Sequence, residues 1–257
     1  MKIAVIGYGA IGRFLIEQLD AVPDFEIAAV YSVPAPPDRA ERVVDDLDAL
    51  LATRPDLVVE CAGHRALSEC GEAVLRSGVD LLVVSVGALA DPALEQQLRT
   101  AARHGGRLLI AAGALSGLDA LSTAREAGLD SVSYVGKKAP AAWTNTPAED
   151  MVDLTSITSA VTFLECDART AALRFPQNAN VVAAIALAGL GFERTQVSLV
   201  VDPASNGNNH SFVARGAFGE IAMTTRSATL PANPKTSMLA PYSLVQTIKK
   251  HAGLIIV

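Results

Sequence analysis

Three glycines near the N-terminus constrain this 257-residue chain more than any other feature. Lys2 to Ile6 is a short apolar run rich in β-branched residues, and Gly7-Tyr8-Gly9-Ala10-Ile11-Gly12 follows it without a spacer. Ile11, Leu15, Ile16 and Leu19 then recur at helical spacing, Pro23 stops that helix, and Phe25 to Tyr31 reads as a second strand. Strand, glycine turn, helix and strand make one βαβ unit. Each glycine has a physical task there. Gly7 permits the tight turn out of the strand, Gly9 lets the backbone approach a bound phosphate, and Gly12 lets the helix pack close to the sheet. The free N–H groups at the helix start favour an anion. A bare G-x-G-x-x-G is weak; one that leaves a strand and opens a helix predicts a dinucleotide site at Gly7, Gly9, Ala10, Ile11 and Gly12.

The alternation continues. Leu57 to Cys61, Asp80 to Ser85 and Arg107 to Ala112 read as strands, separated by helices over Leu67 to Ser77 and Pro92 to His104. Such alternation predicts an α/β fold with a Rossmann doubly wound parallel sheet. Half of the residues are apolar, 19% are charged and the mean hydropathy is +0.32, as strands buried on both faces require. After residue 113 the rhythm changes. Ser131 to Lys138, Ala160 to Asp167, Gln196 to Asp202, Ser211 to Gly216 and Glu220 to Ser227 read as strands, with helices over Leu118 to Ala127 and Asn180 to Leu190. This predicts a mixed or antiparallel sheet in an α+β substrate and dimerisation domain. The expected boundaries are 1–112 for the dinucleotide-binding domain, 113–238 for the substrate domain, and 239–257 for a C-terminal helix returning to the first domain.

Several function classes are disfavoured. The net charge is −6 with no basic concentration, so no nucleic-acid partner is expected. Cys61, Cys70 and Cys166 form neither a disulfide framework nor a zinc pattern, which predicts no metal and a reducing, cytoplasmic setting. Met1-Lys2 leads straight into a strand, without the features of a signal peptide. The uncharged stretch from Phe175 to Phe192 is interrupted by Pro176, Gln177, Asn178 and Asn180, leaving an apolar run too short for a bilayer, so no membrane partner is expected.

One element of the dinucleotide pattern is missing. The second strand ends Val30-Tyr31-Ser32, without the acid that holds the ribose hydroxyls. A 2′-phosphate would not be repelled there. Ser32 can donate to it, and Arg39 or Arg42 can pair with it, so the cofactor is expected to be NAD or NADP.

Five stretches narrow the reading further: Glu60-Cys61-Ala62-Gly63-His64, Val83-Val84-Ser85-Val86-Gly87-Ala88, Phe175-Pro176-Gln177-Asn178-Ala179-Asn180-Val181, Gly216-Ala217-Phe218-Gly219 and Asn233-Pro234-Lys235-Thr236-Ser237. In this order the chain resembles the L-aspartate dehydrogenase family, from residue 1 to the C-terminus. The resemblance implies reversible oxidative deamination of L-aspartate to oxaloacetate and ammonia through iminosuccinate, a homodimer, and a link to NAD biosynthesis. It implies a catalytic histidine at His210 and cofactor contacts at Ala114 and Asn180. It also brings Cys61, Ala62, Gly63, His64, Ser85, Val86 and Gly87 to the cofactor, with His64 near the nicotinamide.

The residue types suit that chemistry. A histidine titrates near neutrality and can activate the water that attacks an iminium carbon. His210 stands in the turn-like stretch Asn206-Gly207-Asn208-Asn209 ahead of a strand. Asn233 and Pro234 suggest a turn, beside which Lys235, Thr236 and Ser237 offer a cation and two hydroxyls to a substrate carboxylate. Lys137, Lys138 and Arg174 are further cationic candidates, Asn180 is expected to cap its helix, and His251 is expected to be exposed. Two alternatives stay open at this stage: a dehydrogenase of the same architecture acting on homoserine, a semialdehyde or a diamino acid, or a protein that senses NAD(P) without turnover.

Overall fold

A computed structural model of the chain describes residues 1–33, 42–176, 178–230 and 233–253, the side chains of 233–235 excepted. The chain divides into two compact units, one of Met1–Ala111 together with the C-terminal residues from Ala240, the other Ala112–Leu239.

The first unit contains β1 (Lys2–Ile6), α1 (Ala10–Asp20), β2 (Glu26–Tyr31), β3 (Val43–Val44), α2 (Leu47–Ala52), β4 (Leu57–Glu60), α3 (His64–Arg76), β5 (Asp80–Val83), α4 (Pro92–His104) and β6 (Leu108–Ile110). The six strands form one sheet in the order β3-β2-β1-β4-β5-β6, parallel at every pairing. This is the doubly wound arrangement that the strand–helix alternation predicts, with the order reversing beside β1. One face packs Ile3, Val5, Leu57 and Val59 against Leu15, Ile16 and Leu19 of α1 and against Leu244, Val245 and Ile248 of the last helix. On α3, a side chain at Gly71 would meet Leu98 of α4 and Leu81 of β5 at 3.0 and 3.6 Å, so helix and sheet approach closely there. The helix after β2 is short, as the proline-rich segment 34–37 suggests.

The second unit contains α5 (Leu118–Glu126), β7 (Leu129–Lys138), β8 (Val161–Asp167), α6 (Ala168–Arg174), α7 (Ala179–Ala188), β9 (Thr195–Val201), β10 (Asn208–Gly216), β11 (Gly219–Ser227), β12 (Thr229–Leu230) and β13 (Asn233–Ser237); α8 (Leu239–His251) follows. Its five-stranded sheet runs β11-β10-β7-β9-β8 and is mixed: β7 and β9 are parallel, the other pairings antiparallel. Alternate residues of β7 and β10 are buried, among them Val132, Tyr134 and Lys138, and His210, Phe212 and Ala214. A 3-10 turn at Pro140–Trp143 sinks Trp143 among Phe163 and Phe175, and its indole N–H donates to the Val200 carbonyl at 3.3 Å.

Four local expectations need correction. The helix reading that starts at Asn180 misses α6 altogether, because its alanine-rich sequence (Ala168-Arg169-Thr170-Ala171-Ala172) carries little amphipathic signal. Asn233–Ser237 is not a turn but a strand paired with β12. β10 starts at Asn208, so His210 lies in the ladder opposite Gly136 and Thr225 rather than in a turn. His251 is only 14% exposed in its side chain, with Nε2 3.4 Å from the Asp80 carboxylate.

Candidate active site

Within the first unit the glycine turn has the expected construction. Gly7 takes φ +100°, a left-handed conformation, and a Cβ there would meet Ala62 at 2.8 Å. A Cβ at Gly12 would meet the Gly7 carbonyl oxygen at 2.2 Å, whereas one at Gly9 would meet no atom of the described residues within 4 Å. Gly9 is also the residue that precedes α1, and it places no side-chain cap on the helix N–H groups. Space and donors thus coincide at the start of α1, which is what an anionic cofactor group needs. The turn borders a cleft of about 600 Å³, lined also by Tyr31, Ser32, Cys61 and Ala62. Ala10 and Ile11 form the first turn of α1 and are partly buried. No acid stands at the end of β2, and Ser32 borders the cleft. Arg39 lies outside the described residues. Arg42 does not reach toward a phosphate: its guanidinium pairs with Asp20 at 2.7 Å.

The turns after β4 and β5 meet on one carboxylate. Glu60, 1% exposed, accepts from the amides of Ala62 and Gly63 at 2.7 Å each, from the Ser85 hydroxyl at 3.0 Å and from the Ser85 amide at 3.2 Å. Burial pushes its pKa upward while these donors pull it down. The Ser85 hydroxyl is therefore committed to Glu60. Val86 and Gly87 lie in a buried 3-10 turn, Val86–Ala90. His64 opens α3, after Gly63 at φ +110°. Sequence reasoning passed over Glu60; its one signal is an acid at the end of the otherwise apolar strand Leu57-Val58-Val59.

The second unit buries a different polar group. Tyr134 of β7 and His210 of β10 stack with ring centroids 6.0 Å apart, and the Tyr134 hydroxyl lies 2.7 Å from His210 Nδ1. Burial holds the tyrosine pKa well above its ordinary value, so the hydroxyl keeps its proton. The hydroxyl and Nδ1 thus share one hydrogen bond whose direction the imidazole tautomer sets: a ring that donates Nδ1–H to the Tyr134 oxygen presents a free lone pair at Nε2. Burial, and then the charge of Lys138, push the His210 pKa down to about 4. Burial likewise pushes Lys138 down to about 8, and its ammonium sits 5.4 Å from the centre of the Trp143 ring. Gly136 makes room for this pair, since a Cβ there would meet the Tyr134 hydroxyl at 2.7 Å.

His210 also borders a cleft of about 460 Å³ with Lys137, Asp202, Asn209 and Arg226; Lys137 pairs with Asp202 at 3.3 Å. A smaller cleft, about 330 Å³, lies at the start of α7 and includes Arg174 and Asn178. Asn178, not Asn180, precedes that helix, and its buried side-chain oxygen has no hydrogen-bond partner among the described residues. Asn180 is exposed in the first turn of α7, so the capping expectation was misplaced. Ala114 is buried near the start of this unit. Ser237 is buried, its hydroxyl donating to Ser227 at 2.7 Å and accepting from the Leu239 amide at 3.1 Å. Thr236 is half-buried, and the backbones of Asn233 and Lys235 belong to β13.

Both parts of the chain are similar to known proteins. Residues 119–251 match the family model described as "Aspartate dehydrogenase, C-terminal", and residues 7–111 match "Homoserine dehydrogenase, NAD binding domain". An L-aspartate dehydrogenase of Cupriavidus taiwanensis is 44% identical, over 98% of both chains. The crystal structure of aspartate dehydrogenase from Thermotoga maritima is similar with a TM-score of 0.80 at 25% identity, covering 100% of this chain and 99% of that one. A hyperthermophilic archaeal homoserine dehydrogenase solved with NADPH shares the fold, with a TM-score of 0.61 at 11% identity over 99% of this chain and 98% of that one.

Proposed function

This chain belongs to the aspartate dehydrogenase family, and on that premise we propose that it catalyses the reversible, NAD(P)-dependent oxidative deamination of L-aspartate to oxaloacetate and ammonia through iminosuccinate. The protein is an NAD(P)-dependent amino-acid dehydrogenase. The observation that carries the choice of substrate is the 44% identity along 98% of the chain to a relative that bears this name. In the first step L-aspartate loses a hydride from Cα and a proton from nitrogen; in the second, water adds to the imine carbon and ammonia leaves. The nicotinamide, when bound, takes up the hydride.

The chain supplies position and proton handling. Gly7, Gly9, Ala10, Ile11 and Gly12 would hold the pyrophosphate at the start of α1, with Ser32 at the adenosine ribose. Cys61, Ala62, Gly63, His64, Ser85, Val86 and Gly87 would face the nicotinamide half, with Ala114 and Asn180 as further cofactor contacts. His210 would take the proton from the attacking water. Its neutral form suits that task in the tautomer whose Nδ1–H donates to Tyr134 and whose Nε2 carries the lone pair, and the substrate's two carboxylates beside it would raise its basicity. Lys235 and Thr236 would bind a carboxylate; Ser237, engaged with Ser227 and Leu239, would support β13 instead. A homodimer, a cytoplasmic setting and a place in NAD biosynthesis complete the reading. Among the described residues no helix is long and apolar enough to cross a membrane.

The decisive assay follows nicotinamide absorbance with L-aspartate as donor, and in reverse with oxaloacetate plus ammonia, against homoserine and diamino acids. Turnover with aspartate alone supports the reading. Turnover with another amino acid, or binding without turnover, rejects it. Lys235→Ala is expected to raise the KM for aspartate and to leave cofactor affinity unchanged.

A further inference from the structure

Glu60 is a buried ionisable group to which the proposed chemistry assigns no task. It ends β4 beneath the surface, and its four polar contacts among the described residues come from donors in two turns. Oε1 receives the amides of Ala62 and Gly63 and the Ser85 hydroxyl; Oε2 receives the Ser85 amide, 25 residues further on. Parallel strands that are neighbours in a sheet do not by themselves fix the turns at their carboxyl ends, since the ladder stops there. One carboxylate does so here. Ala62, held by this carboxylate, in turn packs against the glycine turn, since a Cβ on Gly7 would meet it at 2.8 Å. The turns at the carboxyl ends of β4 and β5 are thus joined through a single side chain. An apolar residue at position 60 would be cheaper to bury, but would leave the Ala62, Gly63 and Ser85 amides without this acceptor.

We propose that Glu60 is a positioning residue for the dinucleotide: its carboxylate holds the turns at residues 61–63 and 85–87 in the arrangement that binds the cofactor, and it takes no part in the chemistry. The proposal rests on the reading of this cleft as the NAD(P) site. A carboxylate is the side chain suited to the task, since two oxygens with several lone pairs can accept all four bonds at once. Glutamine at this position keeps the volume but turns an NH2 group toward donors. Aspartate keeps the charge but withdraws it by one methylene.

The test compares wild type, Glu60→Gln, Glu60→Asp and Ser85→Ala in the full chain. The NADH dissociation constant is measured by fluorescence titration well below the unfolding temperature, alongside the melting temperature of the protein alone. Glu60→Gln and Glu60→Asp are expected to weaken NADH binding by about ten-fold or more, and Ser85→Ala by less, because it removes one donor and keeps the charge. In steady state the KM for the cofactor rises more than kcat falls. A glutamate with a merely structural role would lower the melting temperature and leave NADH affinity within about two-fold of wild type; that result overturns the proposal. If Glu60→Gln fails to fold, Glu60→Asp and Ser85→Ala carry the same comparison. A wild-type protein that does not bind NADH would overturn the reading of the cleft and this proposal together, whereas normal wild-type binding with unaltered variants overturns this proposal alone.

Discussion

The Tyr134 hydroxyl lies 2.7 Å from Nδ1 of His210, across two paired strands and within a layer where both side chains are buried. This contact engages Nδ1 and leaves Nε2 as the ring's other polar group. Tyr134→Phe removes the partner and leaves the buried Nδ1 of His210 unpaired, at a cost of about 1–3 kcal/mol. Urea unfolding is expected to show that loss, and turnover is expected to fall with cofactor affinity unchanged. Unaltered turnover would detach Tyr134 from the mechanism.

The depressed pKa of His210 has a pH signature. The folded value is about 4, below the ordinary 6.5, so the unfolded chain binds the proton more readily between these limits. Stability from this group is therefore full above about pH 6.5, declines as pH falls through that window, and reaches its floor below about pH 4, a total of about 3 kcal/mol. His210→Asn should flatten this part of the acid limb relative to wild type, in unfolding measured across that range. The same substitution is expected to lower turnover by about 10²–10⁴ while NADH still binds.

Lys138 is charged at neutral pH although burial pushes its pKa down to about 8. The folded state binds its proton less readily than the unfolded chain, so stability is lost as pH falls from the lysine's ordinary range toward 8. Lys138→Met removes that burden and is expected to stabilise the protein at neutral pH by about 1–3 kcal/mol. It also removes a charge that disfavours the imidazolium. An NMR titration should find the His210 pKa higher than in wild type; an unmoved value would show that burial alone depresses it.

Ser32 occupies the place at the end of β2 where an acid would reject a 2′-phosphate. The Michaelis constants for NAD and NADP are expected to lie within about ten-fold of each other, a difference of about 1.4 kcal/mol. Ser32→Asp should raise the NADP constant by at least that factor and the NAD constant far less. A preference for NAD of several hundred-fold in the wild type, about 3 kcal/mol or more, contradicts this.

Gly9 and Gly12 predict opposite phenotypes. A methyl at Gly12 would drive into the Gly7 carbonyl, so Gly12→Ala should lower the melting temperature. A methyl at Gly9 would meet no atom of the described residues, so Gly9→Ala should melt normally and bind NADH poorly. Calorimetry and fluorescence titration separate the two; normal NADH binding by Gly9→Ala would remove the phosphates from this turn.

The sequence by itself determined the elements whose signal is contiguous. Apolar runs such as Leu57-Val58-Val59 announce parallel strands buried on both faces, and the spacing of Gly7, Gly9 and Gly12 encodes a turn whose steric demands lie within a few residues. Both halves of the expected fold class were legible for that reason. α6 and the strand at Asn233–Ser237 were not, since tertiary packing decides between conformations where local pattern is weak. Only the tertiary structure brought Glu60 to Ser85 and Tyr134 to His210. Their burial and pKa values follow from what surrounds them, and a neighbour distant in the chain leaves no trace in local periodicity. A histidine read as a turn residue with ordinary basicity thus becomes a buried, neutral imidazole, because desolvation depends on three-dimensional packing.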